Sequence, residues 1–443
     1  MRTFQIGGIH PPENKLSAGQ PIQTIPPPAS VVIPLSQHVG APATAVVAKG
    51  ETVKTGTLIG KANGFISANV HSSVSGSVTK VDQMIDGFGF SRPAVYIDTL
   101  GDEWEPDINR NGFSQIEDDR LTPKEIIDKI EAAGIVGLGG AAFPTKVKLS
   151  PPPGHKAEIL IINASECEPY LTADQAAMMQ ETDQIMTGIR LIMKAINVER
   201  AVIGIENNKP DAIERMTAFA TKHKGIEVVS LKSRYPQGGE KQLIDAIIRR
   251  QVKSGALPIS VGAIVHNVGT VYAVYEAVRN NKPLIERIVT VTGKSIVKPS
   301  NFLVRIGTPV AALIEAAGGL PEDTGKIIVG GPMMGKALIN IQAPVTKGTS
   351  GIVVMTKKES VRRHSHDCIR CAKCVGACPM GLSPYLLMNL SEYKVWDDAE
   401  KNHITDCIEC GSCCYTCPAN RPLLDYIRLG KSKVMEIKRA RKV

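Results

Sequence analysis

Glu158-Ile-Leu-Ile-Ile-Asn163 is a run of aliphatic residues ending on a polar one, and three similar pieces follow it: Ala201-Val-Ile-Gly-Ile205, Ile226-Glu-Val-Val-Ser-Leu231 and a stretch over 259–265. Between them lie segments with helical spacing, around Asp174–Ile196, Lys209–Lys222, Glu240–Arg250 and Thr270–Arg279. Short unbroken apolar runs read as strands buried on both faces, and their regular alternation with helices predicts an α/β domain on a largely parallel sheet. Its entrance is marked by Thr122, Pro123 and Glu125, an N-cap, an N1 proline and the third member of a capping box. The domain is expected over 119–283.

On the N-terminal side, about residues 1–100 read as all-β. Val31–Pro34, Ala45–Ala48 and Thr57–Gly60 alternate with Gly, Pro and Asn turn signals. This stretch resembles the barrel-sandwich hybrid of biotinyl and lipoyl domains. Lys61-Ala-Asn-Gly-Phe-Ile66 lacks the lysine-centred hairpin tip that such carriers modify, so a structural or docking role is expected. A polar linker is read over about 100–118. On the C-terminal side comes a smaller β-rich unit over 284–356, in which Ile327-Ile-Val-Gly-Gly-Pro-Met-Met-Gly335 runs from a strand into a tight turn.

The last 85 or so residues hold nine of the ten cysteines; the tenth is Cys167. A 443-residue chain buries an adequate core without staples, so the cluster points to metal ligation. Two copies of Cys-x2-Cys-x2-Cys-x3-Cys-Pro stand 39 residues apart: Cys368, Cys371, Cys374 and Cys378, then Cys407, Cys410, Cys413 and Cys417. This is the bacterial ferredoxin pattern for two [4Fe–4S] clusters, in which the fourth cysteine of each run serves the other cluster. One cluster is thus expected on Cys368, Cys371, Cys374 and Cys417, and the other on Cys407, Cys410, Cys413 and Cys378, within a twin-cluster domain over 357–427. A tetrahedral zinc site needs no second run of matching spacing. Cys414 stands outside the pattern and is read as a non-ligand; Cys167 is read as a buried thiol.

The net charge is +9, and residues 428–443 alone carry Arg428, Lys431, Lys433, Lys438, Arg439, Arg441 and Lys442 against Glu436. This basic tail suits an anionic surface or an acidic partner as well as it suits a solvated, frayed end. No apolar run reaches the roughly 18 residues of a membrane helix, and the first residues do not read as a signal peptide. Nucleic-acid binding is disfavoured, since the body has no basic helical stripe or aromatic platform.

Four polar segments sit where the α/β domain's ligand belongs. Gly137-Leu-Gly139-Gly140-Ala-Ala-Phe143-Pro144, with Lys146 and Lys148 after it, lets backbone amides approach a phosphate. Asn163-Ala-Ser-Glu166-Cys-Glu168-Pro169 follows a strand, Tyr235-Pro-Gln-Gly238-Gly239-Glu240 opens a helix, and His266-Asn267-Val-Gly269-Thr270 ends another strand.

In this order, the four segments resemble the flavin- and NADH-binding subunit of respiratory complex I. The resemblance implies FMN on Gly137, Gly139, Gly140, Lys148, Asn163, Asn267 and Thr270. It implies nicotinamide nucleotide on Phe143, Glu166 and Glu168, with Gly238 and Glu240 completing the cofactor site. Leu138, Ser165, Gly239 and His266 depart from that family's pattern.

Over about 1–425, beginning with Gly7-Gly-Ile-His-Pro-Pro-Glu-Asn-Lys15, the chain is similar to the RnfC family of the Rnf ion-translocating electron-transport complexes. That resemblance implies a peripheral subunit on the cytoplasmic face of the cell membrane, working beside membrane subunits that translocate ions and a ferredoxin-docking subunit. It implies a β-grasp-like, soluble-ligand-binding domain over 284–356. The cofactors expected are FMN and two [4Fe–4S] clusters, with NAD(H) as substrate and no side-chain acid or base in catalysis. Related flavin–iron–sulfur reductases, such as cobalamin reductase or the electron donor of proline reduction, share the domain plan. A non-catalytic electron-wiring subunit remains the alternative of another class.

Overall fold

The computed structural model describes residues 1–110 and 120–441. Part of the expected linker, and Lys442 of the expected tail, lie outside these residues. The architecture is multidomain: two β-sheets, an α/β unit, a mixed β unit and a helical cysteine-bearing unit.

In the α/β unit the capping box forms as read. Thr122 Oγ1 accepts from Glu125 N while the Glu125 carboxylate accepts from Thr122 N at 2.7 Å. The helix so started, Pro123–Ala132, buries Ile126 and Ile130 completely. Four parallel strands follow in the spatial order Ile226–Leu231, Ala201–Glu206, Ile159–Ala164, Ala263–Asn267. Leu160 and Ile162 face one core, Ile159 and Ile161 the other, where they meet Leu243, Ile244 and Ile247. Burial on both faces is why that strand carries no polar alternation, and each fully buried aliphatic side chain contributes about 1.5–3 kcal/mol.

Two elements differ from expectation. The helix expected over 174–196 is two, Ala173–Gln180 and Thr182–Ala195, because Glu181 leaves helical geometry between them. The strand expected from Ile259 begins at Ala263. Pro258 starts a single tight turn there, closed by Gly262 at φ +76°.

The barrel-sandwich unit starts at Ser30. One sheet pairs Ser30–Pro34 with Ser91–Thr99, then Gly76–Ile85 and Thr52–Val53; the other holds Thr44–Ala45, Leu58–Lys61 and Val70–His71. Residues before it run elsewhere. Arg2 bridges to Leu231 at the edge of the parallel sheet, Ile9 pairs with Tyr235, and Ile22–Thr24 forms the edge strand of the six-stranded mixed sheet. That sheet continues through Ser300–Arg305, Glu286–Thr292, Gly351–Thr356, Thr324–Val329 and Lys336–Ala337. The N-terminal strap therefore stitches two units together. Lys347 adds a buried tie, its ammonium donating to Asn69 O at 2.6 Å and Gly134 O at 2.7 Å.

In the C-terminal unit, helices Pro384–Glu392 and Leu423–Ala440 pack through Leu387, Met388, Leu423 and Ile427. The expected tail continues the second of these helices. Val434 is buried, Arg428 and Lys431 pair with Glu409, Lys438 with Glu400, and Arg441 with Glu400 and Asp397. The helix forms because its apolar stripe has a partner to cover, which a count of basic residues does not reveal. Among the described residues no helix is long and apolar enough to cross a membrane.

Candidate functional site: a crevice beside paired cysteine runs

The chain lays down Ile159–Ala164 first, moves outward through Ala201–Glu206 to Ile226–Leu231, then returns to the other side as Ala263–Asn267. The direction of travel reverses between the first and last of these strands, and an open α/β sheet places its ligand crevice beyond the carboxyl ends at such a reversal. Asn163 and Asn267 stand opposite each other at that reversal. Asn163 Nδ2 donates to Gly238 O at 2.8 Å, which fixes the turn before the helix Glu240–Ile248. Asn267 Oδ1 caps the helix Val268–Asn280 by accepting from Gly269 N at 2.9 Å, while its Nδ2 donates to Asp174 Oδ2 at 2.7 Å.

The glycine loop lies over this end of the sheet. Leu138 N donates to Thr270 Oγ1 at 2.8 Å, and Gly137 N to Phe143 O at 2.8 Å. A Cβ on Gly139 would lie 2.9 Å from Asn267 Cβ, whereas Gly140, at φ +153°, opens to solvent. Near this strand end, Ser165 Oγ and His266 Nε2 are buried without a partner among the described residues. Burial, with the Lys148 charge close by, pushes the His266 imidazole down to about 3, so it is neutral. Lys148 Nζ donates to Glu240 Oε1 at 2.6 Å and Val265 O at 3.1 Å. A cradle closed to side chains at Gly139, with unpartnered polar atoms at its wall, fits a planar polar cofactor such as a flavin.

The two glutamates of the acidic loop are both engaged within the protein. Glu166, at φ +46°, turns its carboxylate onto Asp174 N at 2.7 Å and Gln175 N at 3.2 Å, at the start of the helix Ala173–Gln180. Glu168 accepts from Met333 N at 3.0 Å and Met334 N at 2.8 Å, in the tight turn of the mixed-sheet unit. Burial pushes the Glu168 carboxyl up to about 7. Sequence reading missed what holds this loop: Lys15 Nζ donates to Glu166 O, Glu168 O and Leu171 O at 2.7–2.9 Å. Lys209 Nζ donates to Ser165 O at 2.7 Å. The place of Lys15 at the end of the Gly7–Lys15 motif was the available signal; nothing local marks Lys209.

Tyr235 connects the crevice to the cysteines. Its hydroxyl donates to Cys410 O at 2.8 Å and stands 3.4 Å from Glu168 Oε1. Cys378, Cys407, Cys410 and Cys413 line one cavity, walled otherwise by apolar groups such as Leu382, Leu387, Leu424 and Ile427. The topology thus brings the fourth cysteine of the first run to three of the second, the grouping expected from the spacing. Cys374 and Cys417 lie close enough for their charges to interact, while Cys368 and Cys371 are exposed. Cys414 Sγ accepts from Leu424 N at 3.2 Å and does not line that cavity. Among the described residues no three His, Cys, Asp or Glu side chains close on a single-ion site, and a cubane spreads its thiolates wider than one ion does. Four thiols around an apolar cavity fit an iron–sulfur cluster.

Comparison with known proteins matches four family models along the chain. The RnfC barrel sandwich hybrid domain matches residues 3–102, and the Nuo51 FMN-binding domain matches 130–276. The SLBB domain matches 288–337, and a 4Fe-4S dicluster domain matches 360–418. The chain is 46% identical to the RnfC component of the proton-translocating ferredoxin:NAD(+) oxidoreductase complex of Clostridium ljungdahlii, over 98% of this chain and 94% of that one. It is 44% identical to the same component of the Na(+)-translocating complex of Acetobacterium woodii, over 99% and 98%. With its counterpart in the ion-translocating oxidoreductase complex of Rhodobacter capsulatus it shares 41%, over 98% and 84%. Among solved structures, an NAD+-reducing [NiFe]-hydrogenase in the H2-reduced state shares the fold at TM-score 0.51 and 18% identity, covering 72% of this chain and 64% of that one.

Proposed function

This chain belongs to the RnfC family of ion-translocating ferredoxin:NAD(+) oxidoreductase complexes, and from that premise we propose how its residues divide the work. It is an electron-transfer subunit of a multi-subunit oxidoreductase, with FMN, two [4Fe–4S] clusters and NAD(H) as its redox groups. Bound FMN supplies the exchange between the two electrons of a hydride and the single electrons that iron–sulfur clusters accept.

The crevice residues bind and orient. The amides of Gly137, Gly139 and Gly140, with Asn163, Asn267 and Thr270, would hold the flavin, and Lys148 its phosphate. Phe143 and the exposed part of the glycine loop offer a face to the nicotinamide nucleotide. Glu166 and Glu168 support that site from behind: one fixes a helix start, the other ties the loop to the Met333–Met334 turn. Gly238 and Glu240 keep the helix start and Lys148 in place. Cys407, Cys410, Cys413 and Cys378 would hold the cluster on the flavin side, and Cys368, Cys371, Cys374 and Cys417 the outer one. Peripheral attachment to the cytoplasmic face of the membrane, beside ion-translocating and ferredoxin-docking subunits, completes the reading.

The Tyr235–Cys410 contact carries this assignment, because it sets the cysteine cavity against the unit that owns the crevice. Anaerobic reconstitution with iron, sulfide and FMN, followed by NADH titration, tests it. NADH should bleach the cluster absorption only when FMN is present. Failure to bleach with FMN bound would leave the chain a wiring subunit.

A further inference from the structure

The opening Gly7–Lys15 motif runs between the unit that bears the crevice and the unit that bears the cysteines. Ile9 N donates to Tyr235 O and Tyr235 N to Ile9 O, both at 2.9 Å, which fastens the strap to the crevice-bearing unit. One residue earlier, Gly8 N donates to Ala377 O of the cysteine unit at 2.9 Å. Arg234 clamps the same place: its guanidinium donates to Phe4 O at 3.0 Å and to Gly7 O, and lies over the Phe4 ring. Further along, Tyr170 N donates to Glu13 O at 2.8 Å, and Lys15 holds the acidic loop. Pro11 and Pro12, each with a fixed φ, stiffen the stretch between.

Gly7 is wedged against a cysteine of the inner group. Its φ is +70°, and a Cβ there would overlap the Cys378 carbonyl and lie 2.7 Å from Pro379 N. Ile9, Tyr235, Ala377 and Cys410 form one buried apolar seam, with Cys167 and Met333 packed at its edge. The seam sets a cysteine of the inner group beside a residue of the acidic loop, and the strap fills the space between. Contact at Gly7 is backbone against backbone, so no flexible side chain can give way. Any group larger than hydrogen at that position must push the two units apart.

Resting on the reading of two clusters and FMN given above, we propose that residues 7–9 are a spacer that sets the gap between the flavin crevice and the inner cluster. Gly7 is thereby a positioning residue for electron transfer between them. Transfer across a protein gap falls steeply with its width, and a misplacement of about 1 Å can cost on the order of a hundredfold in rate. One electron leaves the flavin as one enters the cluster; the strap makes and breaks no bond.

The test uses the full-length protein loaded with FMN and both clusters. In Gly7→Ala, NADH-driven cluster bleaching followed by stopped flow should slow by about tenfold or more. Flavin and cluster potentials, FMN content and iron content should stay as in the wild type. Gly19→Ala is the control: φ there is +74°, but a Cβ meets nothing within 4 Å, so backbone strain comes without the wedge. It should bleach at the wild-type rate. Arg234→Leu loosens the clamp without adding an atom against Cys378, and should also slow bleaching. If Gly7→Ala does not load its iron, Arg234→Leu decides the matter by the same criteria. Amide hydrogen exchange, which needs no turnover, should show Ile9 and Tyr235 losing protection in Gly7→Ala and Arg234→Leu but not in Gly19→Ala. A wild-type rate in loaded Gly7→Ala, or equal slowing in Gly19→Ala, would overturn the proposal. So would slowing fully matched by a fall in the inner cluster's potential, which would make the strap a tuner of that cluster and not a spacer. Absence of bleaching in the wild type would fault the proposed function, and hydrogen exchange would then judge the spacer alone.

Discussion

Asn163 and Asn267 are neighbours across two parallel strands, and their side chains secure opposite walls of one crevice. The first holds the Gly238 turn; the second caps the helix Val268–Asn280 and reaches Asp174. Asn267→Ala removes the cap and the Asp174 contact together. Loss of an N-cap costs about 1 kcal/mol, so the thermal midpoint should fall modestly. FMN affinity, read by recovery of flavin fluorescence, should fall more than stability does. A variant that melts lower but binds FMN normally would confine Asn267 to capping.

Gly139→Ala is the sharper probe of the loop. The added methyl has only 2.9 Å to Asn267 Cβ and 3.2 Å to its amide, so the loop must lift away from the strand end. A loss of about tenfold or more in FMN affinity, roughly 1.4 kcal/mol, is expected with iron content unchanged. Gly140→Ala meets no neighbour, but its φ of +153° disfavours any side chain, so it tests backbone strain apart from contact.

Cys378→Ser separates the two ways of grouping the thiols. Cys378 belongs to the first run in sequence and to the second run's cavity in space. The variant should lose about four of eight irons and the cluster packed toward Tyr235, as one missing ligand opens a four-thiolate site. Cys414→Ala should keep all of its iron. Electron paramagnetic resonance of the dithionite-reduced proteins distinguishes the cases, and loss of the solvent-facing cluster in Cys378→Ser would reverse the assignment.

Lys347 should leave a mark on the pH dependence of stability. Burial lowers its ammonium from 10.5 to about 7, although two carbonyls hold it. Between those values the unfolded chain binds the proton and the folded chain releases it, so stability rises with pH. The contribution is complete above about 10.5 and lost as pH falls through about 7. Relative to Lys347→Met, the wild type should gain on the order of 5 kcal/mol across that window. Denaturation midpoints of both proteins measured from neutral to alkaline pH check this; parallel curves would show that Lys347 does not titrate there.

Much of this molecule is legible without coordinates wherever the signal is local. Thr122, Pro123 and Glu125 mark a helix start because capping needs only neighbours along the chain. Ala201–Ile205 reads as a strand because both its faces are covered. Segments whose state depends on distant partners read less well. The helix read over 174–196 breaks where the Glu181 backbone leaves helical geometry, and the basic C-terminal stretch folds because Glu400, Glu409 and the apolar groups beneath Val434 meet it.

By itself the sequence determined the metal chemistry and the ligand class, since thiol spacing and glycine placement are covalent facts of the chain. Only the tertiary structure decided which groups face one another. Lys15 reaches across some 150 residues to hold the acidic loop, Tyr235 meets Cys410, and the glutamates expected at the nucleotide turn to backbone amides. Such contacts satisfy polar groups buried where units close on each other, and closure is a property of packed surfaces rather than of any local run of residues.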